Sequence, residues 1–175
     1  MGIKIKLGNK FKSNNNRKMG AEQVANMKFK PIKKVRAIIY DIKDGKPYFL
    51  ILRRVLNWRG WEFLKETMEP GETTLQTIKR GIKEETKLKK FKILKKFNYR
   101  ENWRAMGRDF SIVCLYVVRA DMRQKISLKQ DITEHNKYAW VDKKTALRKL
   151  TWPKTRKFFR ELKFDYSKNY PKHLK

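Results

Sequence analysis

The hydrophobic residues of this chain fall mainly into short apolar runs with the length and composition of β-strands. Residues 35–41 and 48–52 are rich in β-branched and aromatic side chains and are separated by Asp44 and Gly45. An Asp-Gly pair between two such runs favours the tight turn of a β-hairpin. The longest apolar run, residues 112–118, is too short to span a bilayer and is typical of a buried strand. The pattern therefore predicts a sheet that contains an antiparallel hairpin.

Apolar spacing becomes helical after residue 72. Leu75, Ile78 and Ile82 follow one another at intervals of three and four, which predicts one helix face that packs on a sheet. Thr73 or Thr74 is available as the N-cap of this helix. Two further helices are predicted near the end of the chain, and shorter strands and polar loops between the main elements: helices at residues 143–150 and from 153, strands at 61–63, 91–99 and 137–142, and loops at 53–59, 100–108 and 122–131.

The composition adds a strong positive charge to this α/β pattern. The 175 residues include 46 Lys and Arg but only 17 Asp and Glu, which gives a formal net charge of +29 at pH 7. Self-repulsion on this scale destabilises a compact chain unless a polyanion is nearby, so nucleic acid is the favoured partner. An A/T-rich genome that raises the lysine content is the alternative explanation, but it does not account for the shortage of acidic residues.

The length suits one domain with basic extensions. Residues 1–33 are expected to form a flexible extension, residues 34–164 the folded domain, and residues 165–175 a basic tail. Segments of such composition bind phosphates through charge rather than through a fixed fold. Candidate RNA-binding residues lie in the extension, near the predicted loop after the second strand, and on the last helix: Lys4, Lys6, Lys10, Lys12, Arg17, Lys18, Arg53, Arg54, Arg59, Lys154, Arg156, Lys157 and Arg160.

Cysteine content and hydropathy bear on localisation. The one cysteine, Cys114, lies in the longest apolar run and has no partner for an intramolecular disulfide. The N-terminus has no apolar signal segment. We therefore expect an intracellular protein of the cytoplasm or an organelle matrix, without membrane contact.

The acidic residues are concentrated in and before the predicted long helix, where six of the 17 occur. If the preceding loop folds back, Glu72, Glu84 and Glu85 can surround a hard divalent cation, because such cations take oxygen ligands. In the alternative interpretation the helix face is exposed, and Arg80 and Lys87 neutralise Glu84. Spacing alone leaves both interpretations open.

The same stretch resembles the signature of the Nudix hydrolases, G-x5-E-x7-R-E-U-x-E-E-x-G-U, in which U is an aliphatic residue. Six positions match at the correct spacing: Glu72, Arg80, Ile82, Glu84, Glu85 and Leu88. The resemblance implies an α/β Nudix fold, a mixed β-sheet sandwiched between helices, and Mg²⁺ or Mn²⁺ for attack of water on a pyrophosphate. It implies catalytic roles for Arg80, Glu84 and Glu85. Glu72 is expected to bind the metal together with Glu84 and Glu85.

Three signature positions differ in this chain. Glu66 stands at the first glycine, Gly81 at the glutamate that follows the arginine, and Lys87 at the last glycine. The family places a metal-binding carboxylate at the second of these positions. Loss of a general base typically costs roughly 10²- to 10⁴-fold in rate, so Gly81→Glu is expected to raise activity. Lys87 is expected to adopt a left-handed cap conformation.

A fourth candidate ligand comes from a resemblance to one group of the family, the diadenosine tetraphosphate hydrolases. In that group a glutamate before a late strand can supply a further metal contact, and Glu134 precedes the strand predicted at residues 137–142. An isolated Glu-His pair in a loop is more often a solvated hydrogen-bonding feature. With no second histidine or nucleophile nearby, His135 is not expected to be catalytic.

Two functions are compatible with these features. The first is an RNA-associated protein of Nudix fold, a component of a ribosome or another ribonucleoprotein, with weakened or lost pyrophosphohydrolase activity. The charge and Gly81 favour it, and its partners would be ribosomal RNA and ribosomal proteins. The second is an active, metal-dependent hydrolase whose nucleotide substrates are dinucleoside polyphosphates or RNA 5′ ends.

Overall fold

The structure of the chain, a computed structural model, describes residues 30–167. Its strands are β1 (Ile32–Lys43), β2 (Lys46–Arg54), β3 (Gly60–Glu62), β4 (Lys65–Thr67), β5 (Phe91–Phe97), β6 (Glu101–Ala105), β7 (Arg108–Ala120) and β8 (His135–Asp142). Its helices are α1 (Thr74–Thr86), α2 (Lys143–Lys149) and α3 (Pro153–Glu161). None of these three helices is long and apolar enough to cross a membrane.

All eight strands belong to one mixed sheet. The two longest strands, β1 and β7, run parallel, with Ile32 beside Phe110 at one end and Tyr40 beside Arg119 at the other. β2 and β4 pair antiparallel with β1, β3 and β8 with β2, and β5 and β6 with β7. Asp44 and Gly45 have φ angles of 51° and 73°, as a tight turn with two left-handed residues requires. The predicted hairpin is therefore confirmed.

Apolar side chains cover both faces of the sheet and form two cores. On β1, Val35, Ala37 and Ile39 belong to the core that contains α1, whereas Ile38 and Tyr40 belong to the core that contains α2 and α3. Strands buried on both faces consist of continuous apolar residues rather than alternating ones. This explains the unbroken apolar runs, and it confirms the prediction of a sheet sandwiched between helices.

Helix α1 begins and ends as its sequence predicts. Thr73 is the N-cap and forms a capping box with Gln76, while Lys87 ends the helix with a left-handed φ of 57°. Ile78 and Ile82 are buried, but Leu75 is 40% exposed. The apolar face of α1 is therefore shorter than the spacing of apolar residues predicts.

The segment predicted as a polar loop at residues 100–108 is instead the hairpin of β6 and β7. Met106 and Gly107 form its turn, with φ angles of 48° and 71°. Trp103 on β6 stacks on Phe110 of β7, with ring centroids 5.2 Å apart and planes at 10°. The loop prediction was wrong because the exposed residues of β6 are polar or charged, which concealed the alternation with half-buried Trp103.

Candidate active site

One arginine fastens helix α1 to the loop before it. Arg80 donates from Nε to Glu72 Oε1 at 2.8 Å and from Nη2 to Glu72 Oε2 at 2.9 Å, which is a bidentate pair. Nη2 also donates to the carbonyl oxygen of Thr67 at 2.8 Å, and Nη1 donates to Glu84 Oε2 at 3.1 Å. Glu69 Oε1 lies 3.5 Å from Nη1. We call Arg80, Glu69, Glu72 and Glu84 the arginine cluster.

Both carboxylate oxygens of Glu72 accept hydrogen bonds from the protein itself. Besides Arg80, the backbone N–H of Glu69 and the hydroxyl of Thr77 donate to Oε2, at 3.0 and 2.9 Å. The hydrogen bonds from Arg80, followed by the one from the Glu69 backbone, lower the pKa of Glu72 to about 2. Glu72, which the family resemblance made a metal ligand, thus holds the loop on the helix.

A second group of charged residues is largely buried, and we call Glu62, Lys65, Glu85 and His135 the buried cluster. Glu62 is 1% exposed and forms an ion pair with Lys65. His135 Nε2 lies 3.3 Å from Glu62 Oε1, and Arg54 Nη1 lies 3.6 Å from the same oxygen. Burial raises the pKa of Glu62, but Lys65, His135 and Arg54 outweigh it and hold this pKa at about 2. Glu62 is therefore a buried carboxylate with sufficient counterions.

Glu85, by contrast, is a buried carboxylate without sufficient counterions. It is 5% exposed, and its Oε2 has no hydrogen-bond partner in the part of the chain that the structure describes. His135 Nδ1 lies 3.2 Å from this oxygen, but when Nε2–H donates to Glu62, Nδ1 presents its lone pair to Glu85. Burial, followed by the charges of Glu66 and Glu62, raises the pKa of Glu85 well above its usual value. When His135 is neutral, an ionised Glu85 therefore requires a positive charge that these residues do not supply.

Three of the four predicted metal ligands line one cavity of about 480 Å³, which we call the carboxylate cavity. They are Glu84, Glu85 and Glu134; Glu72 is not part of the lining. Arg54 competes with any cation for Glu134, because Glu134 Oε2 accepts a hydrogen bond from Arg54 Nη1 at 2.7 Å. Among residues 30–167 no three Asp, Glu, His or Cys side chains converge closely enough to hold a metal ion. Binding of a cation here therefore requires rotation of glutamate side chains.

An adjoining cavity of about 460 Å³ is aromatic and basic, and we call it the aromatic cavity. Its rings come from two loops and from β6 and β7, and its charges from β1, β2, β4 and β6: Trp58, Trp152, Trp103 and Phe110, with Lys34, Arg36, Arg54, Lys65 and Arg104. Lys34 and Lys65 line both cavities. Aromatic rings stack on nucleic-acid bases, and cations bind phosphates, so the two linings together suit a nucleotide.

Two of the cations that line the aromatic cavity, Arg36 and Lys34, differ in their contacts. Arg36 is buried and donates to Glu101 at 2.7 Å and to the hydroxyls of Thr155 and Tyr99 at 3.0 and 3.2 Å. Within residues 30–167 Lys34 forms no ion pair, and its Nζ donates to the hydroxyl of Thr67 at 2.6 Å. Burial lowers the pKa of Lys34. Lys34 is thus a cation at the border of the two cavities that forms no direct ion pair within residues 30–167, although the charges of Glu66, Glu134 and Glu85 lie near it.

The predicted RNA-binding residues fall into three groups. Those up to Lys18 lie outside the described residues. Arg54 and Arg156 are engaged within the fold, Arg54 with Glu134 and Arg156 with the carbonyl oxygens of Leu150 and Thr151. Arg53 is half-buried on β2. The others are exposed: Arg59, Lys154, Lys157 and Arg160.

Three residues of the candidate site were not predicted from the sequence. His135 is buried at the start of β8 rather than solvated in a loop, so that interpretation is corrected. Glu62 and Lys34 were assigned no role. The available signal for Glu62 was its position between Trp61 and Phe63, because an acidic residue within an apolar strand must find a counterion when it is buried.

Comparison with known proteins identifies the class. The NUDIX domain model matches residues 30–162, and the chain therefore belongs to the NUDIX family. A comparison with curated protein sequences gave no significant match.

Several solved structures share the fold. A binary complex of Ap4A hydrolase from C. elegans is 22% identical, with a TM-score of 0.65, covering 74% of this chain and 93% of that one. A NUDIX hydrolase from Listeria monocytogenes is 20% identical, with a TM-score of 0.57, covering 75% and 91%. A MutT protein from Methanosarcina mazei is 24% identical, with a TM-score of 0.56, covering 75% and 93%. At such identities these structures show the fold alone.

Proposed function

We propose that this chain is a metal-dependent hydrolase that cleaves a phosphoanhydride of a nucleotide. The observation that carries this proposal is the adjacency of the two cavities. The carboxylate cavity contains an unpaired buried glutamate, the aromatic cavity contains stacking rings, and Lys34 and Lys65 line both. A base in one cavity and a cation in the other would place a phosphate chain along these lysines.

The residues of the carboxylate cavity fit a hard divalent cation. Glu85 would hold it, because its Oε2 is buried without a hydrogen-bond partner, and Glu84 would join it by rotation of an exposed side chain. Mg²⁺ or Mn²⁺ bound there would stabilise the negative charge that develops on the phosphates. Lys34 would orient the phosphate chain, and the rings of Trp103 and Phe110 would bind a base.

The substrates that we propose are dinucleoside polyphosphates and RNA 5′ ends. Both combine a base with a phosphoanhydride, and a formal net charge of +29 attracts polyanions of either kind. One structural relative is an Ap4A hydrolase by name. The RNA carries a polynucleotide chain that a dinucleoside polyphosphate lacks. The relative rates of hydrolysis of the two compounds therefore measure how far the basic surface contributes to substrate binding.

Turnover of diadenosine tetraphosphate and of 5′-triphosphorylated RNA, followed by ion-exchange chromatography with Mg²⁺ and then with Mn²⁺, tests the proposal. Lys34→Met should raise KM about tenfold with a smaller change in kcat, because it removes a charge-assisted hydrogen bond to phosphate. Lys33→Met is the matched control, since Lys33 is an exposed neighbour on the other face of β1. Absence of metal-dependent turnover for both compounds would contradict the proposal.

A second candidate function is association with RNA, in a ribosome or another ribonucleoprotein that also contains ribosomal proteins. The net charge favours it, as do the exposed side chains of Lys154, Lys157 and Arg160 on α3. The affinity for single-stranded RNA should then fall with salt at a slope of roughly −0.7 per phosphate neutralised. Replacing these three residues by Gln should reduce the slope, whereas the same change at exposed Lys89, Lys90 and Lys92 is the charge-matched control. Equal effects of the two triple variants would contradict a binding surface on α3.

A further inference from the structure

Two departures from the family signature are in contact with each other. Glu66 on β4 takes the place of the first signature glycine, and Gly81 on α1 takes the place of the signature glutamate. A β-carbon added to Gly81 would lie 2.6 Å from Glu66 Cβ, 2.8 Å from Cγ and 2.9 Å from Oε2. Such distances are shorter than non-bonded contacts allow, so the side chain of Glu66 lies where a side chain at position 81 would begin. Gly81 is thus the residue that gives Glu66 its space.

The carboxylate of Glu66 has one engaged and one available oxygen. Oε1 accepts a hydrogen bond from the Thr67 backbone N–H at 2.7 Å and lies 3.5 Å from Arg80 Nη1. Within residues 30–167 Oε2 accepts no hydrogen bond, and this is the oxygen that lies over Gly81. Positions 81 and 85 are one helical turn apart and therefore adjacent on the helix surface. The available oxygen of Glu66 is thus on the same helix face as Glu85.

The unpaired Glu85 is an independent indication of a ligand at this place. Glu66 and Glu85 line the same carboxylate cavity, and Glu85 is 5% exposed with Oε2 lacking a hydrogen-bond partner among the described residues. Two adjacent carboxylates, one of them buried, repel each other unless a cation lies between them or a proton neutralises one. Of the basic groups nearby, Arg80 Nη1 lies 3.5 Å from Glu66 Oε1 and Lys34 donates to the hydroxyl of Thr67, but neither forms an ion pair with Glu85 within residues 30–167.

We propose that Glu66 replaces the carboxylate missing at position 81 and binds the divalent cation together with Glu85. The two departures then form one exchange, in which a carboxylate has moved from the helix to the facing strand and a glycine from the strand to the helix. The number of carboxylates available to the cation is unchanged. This inference rests on the metal dependence of the function proposed above, but it concerns binding of the ion and is tested without turnover.

The affinity for Mn²⁺, measured by titration calorimetry and by the paramagnetic resonance signal of the free ion, tests the role of Glu66. Glu66→Gln should weaken Mn²⁺ binding by at least about tenfold. Glu69→Gln is the matched control, because Glu69 Oε1 also lies 3.5 Å from Arg80 Nη1, three residues further along the chain, but Glu69 does not line the carboxylate cavity. The control should bind Mn²⁺ like the natural protein.

Exchange of the two residues is the sharper test. Gly81→Glu alone should lower Tm by about 2–12 °C, because its β-carbon must displace Glu66. Glu66→Gly alone should weaken Mn²⁺ binding like Glu66→Gln. The double variant Glu66→Gly, Gly81→Glu should recover both Tm and Mn²⁺ affinity.

Each outcome bears on the proposal separately from the activity. Mn²⁺ affinity that is unchanged in Glu66→Gln, or a double variant that binds no better than Glu66→Gly, would overturn it. A natural protein that binds no Mn²⁺ would overturn it as well. Weakened Mn²⁺ binding in Glu66→Gln, in a protein that cleaves neither nucleotide tested above, would support the role of Glu66 and contradict only the proposed hydrolase function.

Discussion

The arginine cluster and the buried cluster each include a glutamate of helix α1, and they use the same kind of residue for different purposes. In the arginine cluster both oxygens of Glu72 accept hydrogen bonds, and Arg80 is shared among several carboxylates. In the buried cluster Glu62 has its counterions, but Oε2 of Glu85 accepts no hydrogen bond from the residues described, and His135, which lies 3.2 Å from it, is a counterion only when protonated. Protein donors satisfy the carboxylate of Glu72 in the first cluster, whereas Glu85 in the second cluster keeps a buried oxygen without a hydrogen bond.

The difference separates carboxylates that stabilise the fold from one whose buried oxygen the protein leaves without a hydrogen bond. A carboxylate saturated by protein donors has a lowered pKa and stabilises the native state, as Glu72 does. A buried carboxylate without a counterion has a raised pKa and destabilises the native state, which is the case for Glu85. Glu72 and Glu85 are both glutamates of the signature, but their different surroundings shift their pKa values in opposite directions.

Replacement of Glu85 should have the largest effect. Glu85→Gln should lower metal-dependent turnover by about 10²-fold or more, because the cation loses a ligand. The same change should raise the free energy of unfolding of the metal-free protein, by up to about 3 kcal/mol, because the cost of burying this carboxyl group, whose pKa burial raises, is removed. Turnover assays and urea denaturation in the presence of a chelator measure the two effects. Lower metal-free stability would mean that Glu85 already has a counterion.

Acid should weaken the stabilising interactions of Glu62 in the buried cluster. The folded-state pKa of Glu62 is about 2, below its unfolded value, so its stabilisation is present above about pH 4.5 and is lost as the pH falls towards 2. The shift corresponds to at most about 3 kcal/mol. The gain from the ion pair is smaller, since burial also lowers the pKa of Lys65. Thermal unfolding measured from about pH 6 to about pH 2 should show a shallower loss of Tm in Glu62→Gln than in the natural protein. Parallel curves would contradict this expectation.

Removal of Arg80 tests the structural side of the comparison. Arg80→Ala should lower the free energy of unfolding by about 2 kcal/mol, because Glu72 loses its bidentate partner and the loop its attachment to α1. Lys79→Ala, at an exposed neighbouring position, should change it by less than about 0.5 kcal/mol. Equal effects in urea denaturation would show that the arginine cluster contributes nothing specific.

The smallest effect on stability is expected for the residue next to Glu85. The side chain of Glu84 is 54% exposed and its partner is Arg80, so Glu84→Gln should change the free energy of unfolding by less than about 0.5 kcal/mol. Its Mn²⁺ affinity should fall by less than that of Glu85→Gln, since Glu84 has to rotate towards the ion. A larger loss of affinity in Glu84→Gln would reverse the order of the two ligands.

Local sequence was sufficient for much of the fold. The Asp44-Gly45 turn, the N-cap at Thr73 and the left-handed Lys87 follow from the preferences of a few adjacent residues. The hairpin at residues 101–110 was missed, because the pairing of β6 with β7 depends on contacts such as that of Trp103 with Phe110. Polar residues on the exposed face gave no local signal of that pairing.

The candidate site was less predictable than the fold, for the same reason. The spacing of Glu84 and Glu85 was visible in the sequence, but their opposite exposure was not. The expectation that Gly81→Glu would raise activity treated position 81 as open space, whereas Glu66 fills it. That substitution is now expected to succeed only together with Glu66→Gly.

The sequence by itself determined the class of fold, the position of the signature helix and the excess of positive charge. These depend on periodicity and composition, which act between neighbours in the chain. Only the tertiary structure decided that Glu72 is paired, that Glu85 is not, and that Glu66 lies over Gly81. The charge state and the available space of a buried side chain depend on residues from distant segments, which meet only when the sheet and helix α1 pack together.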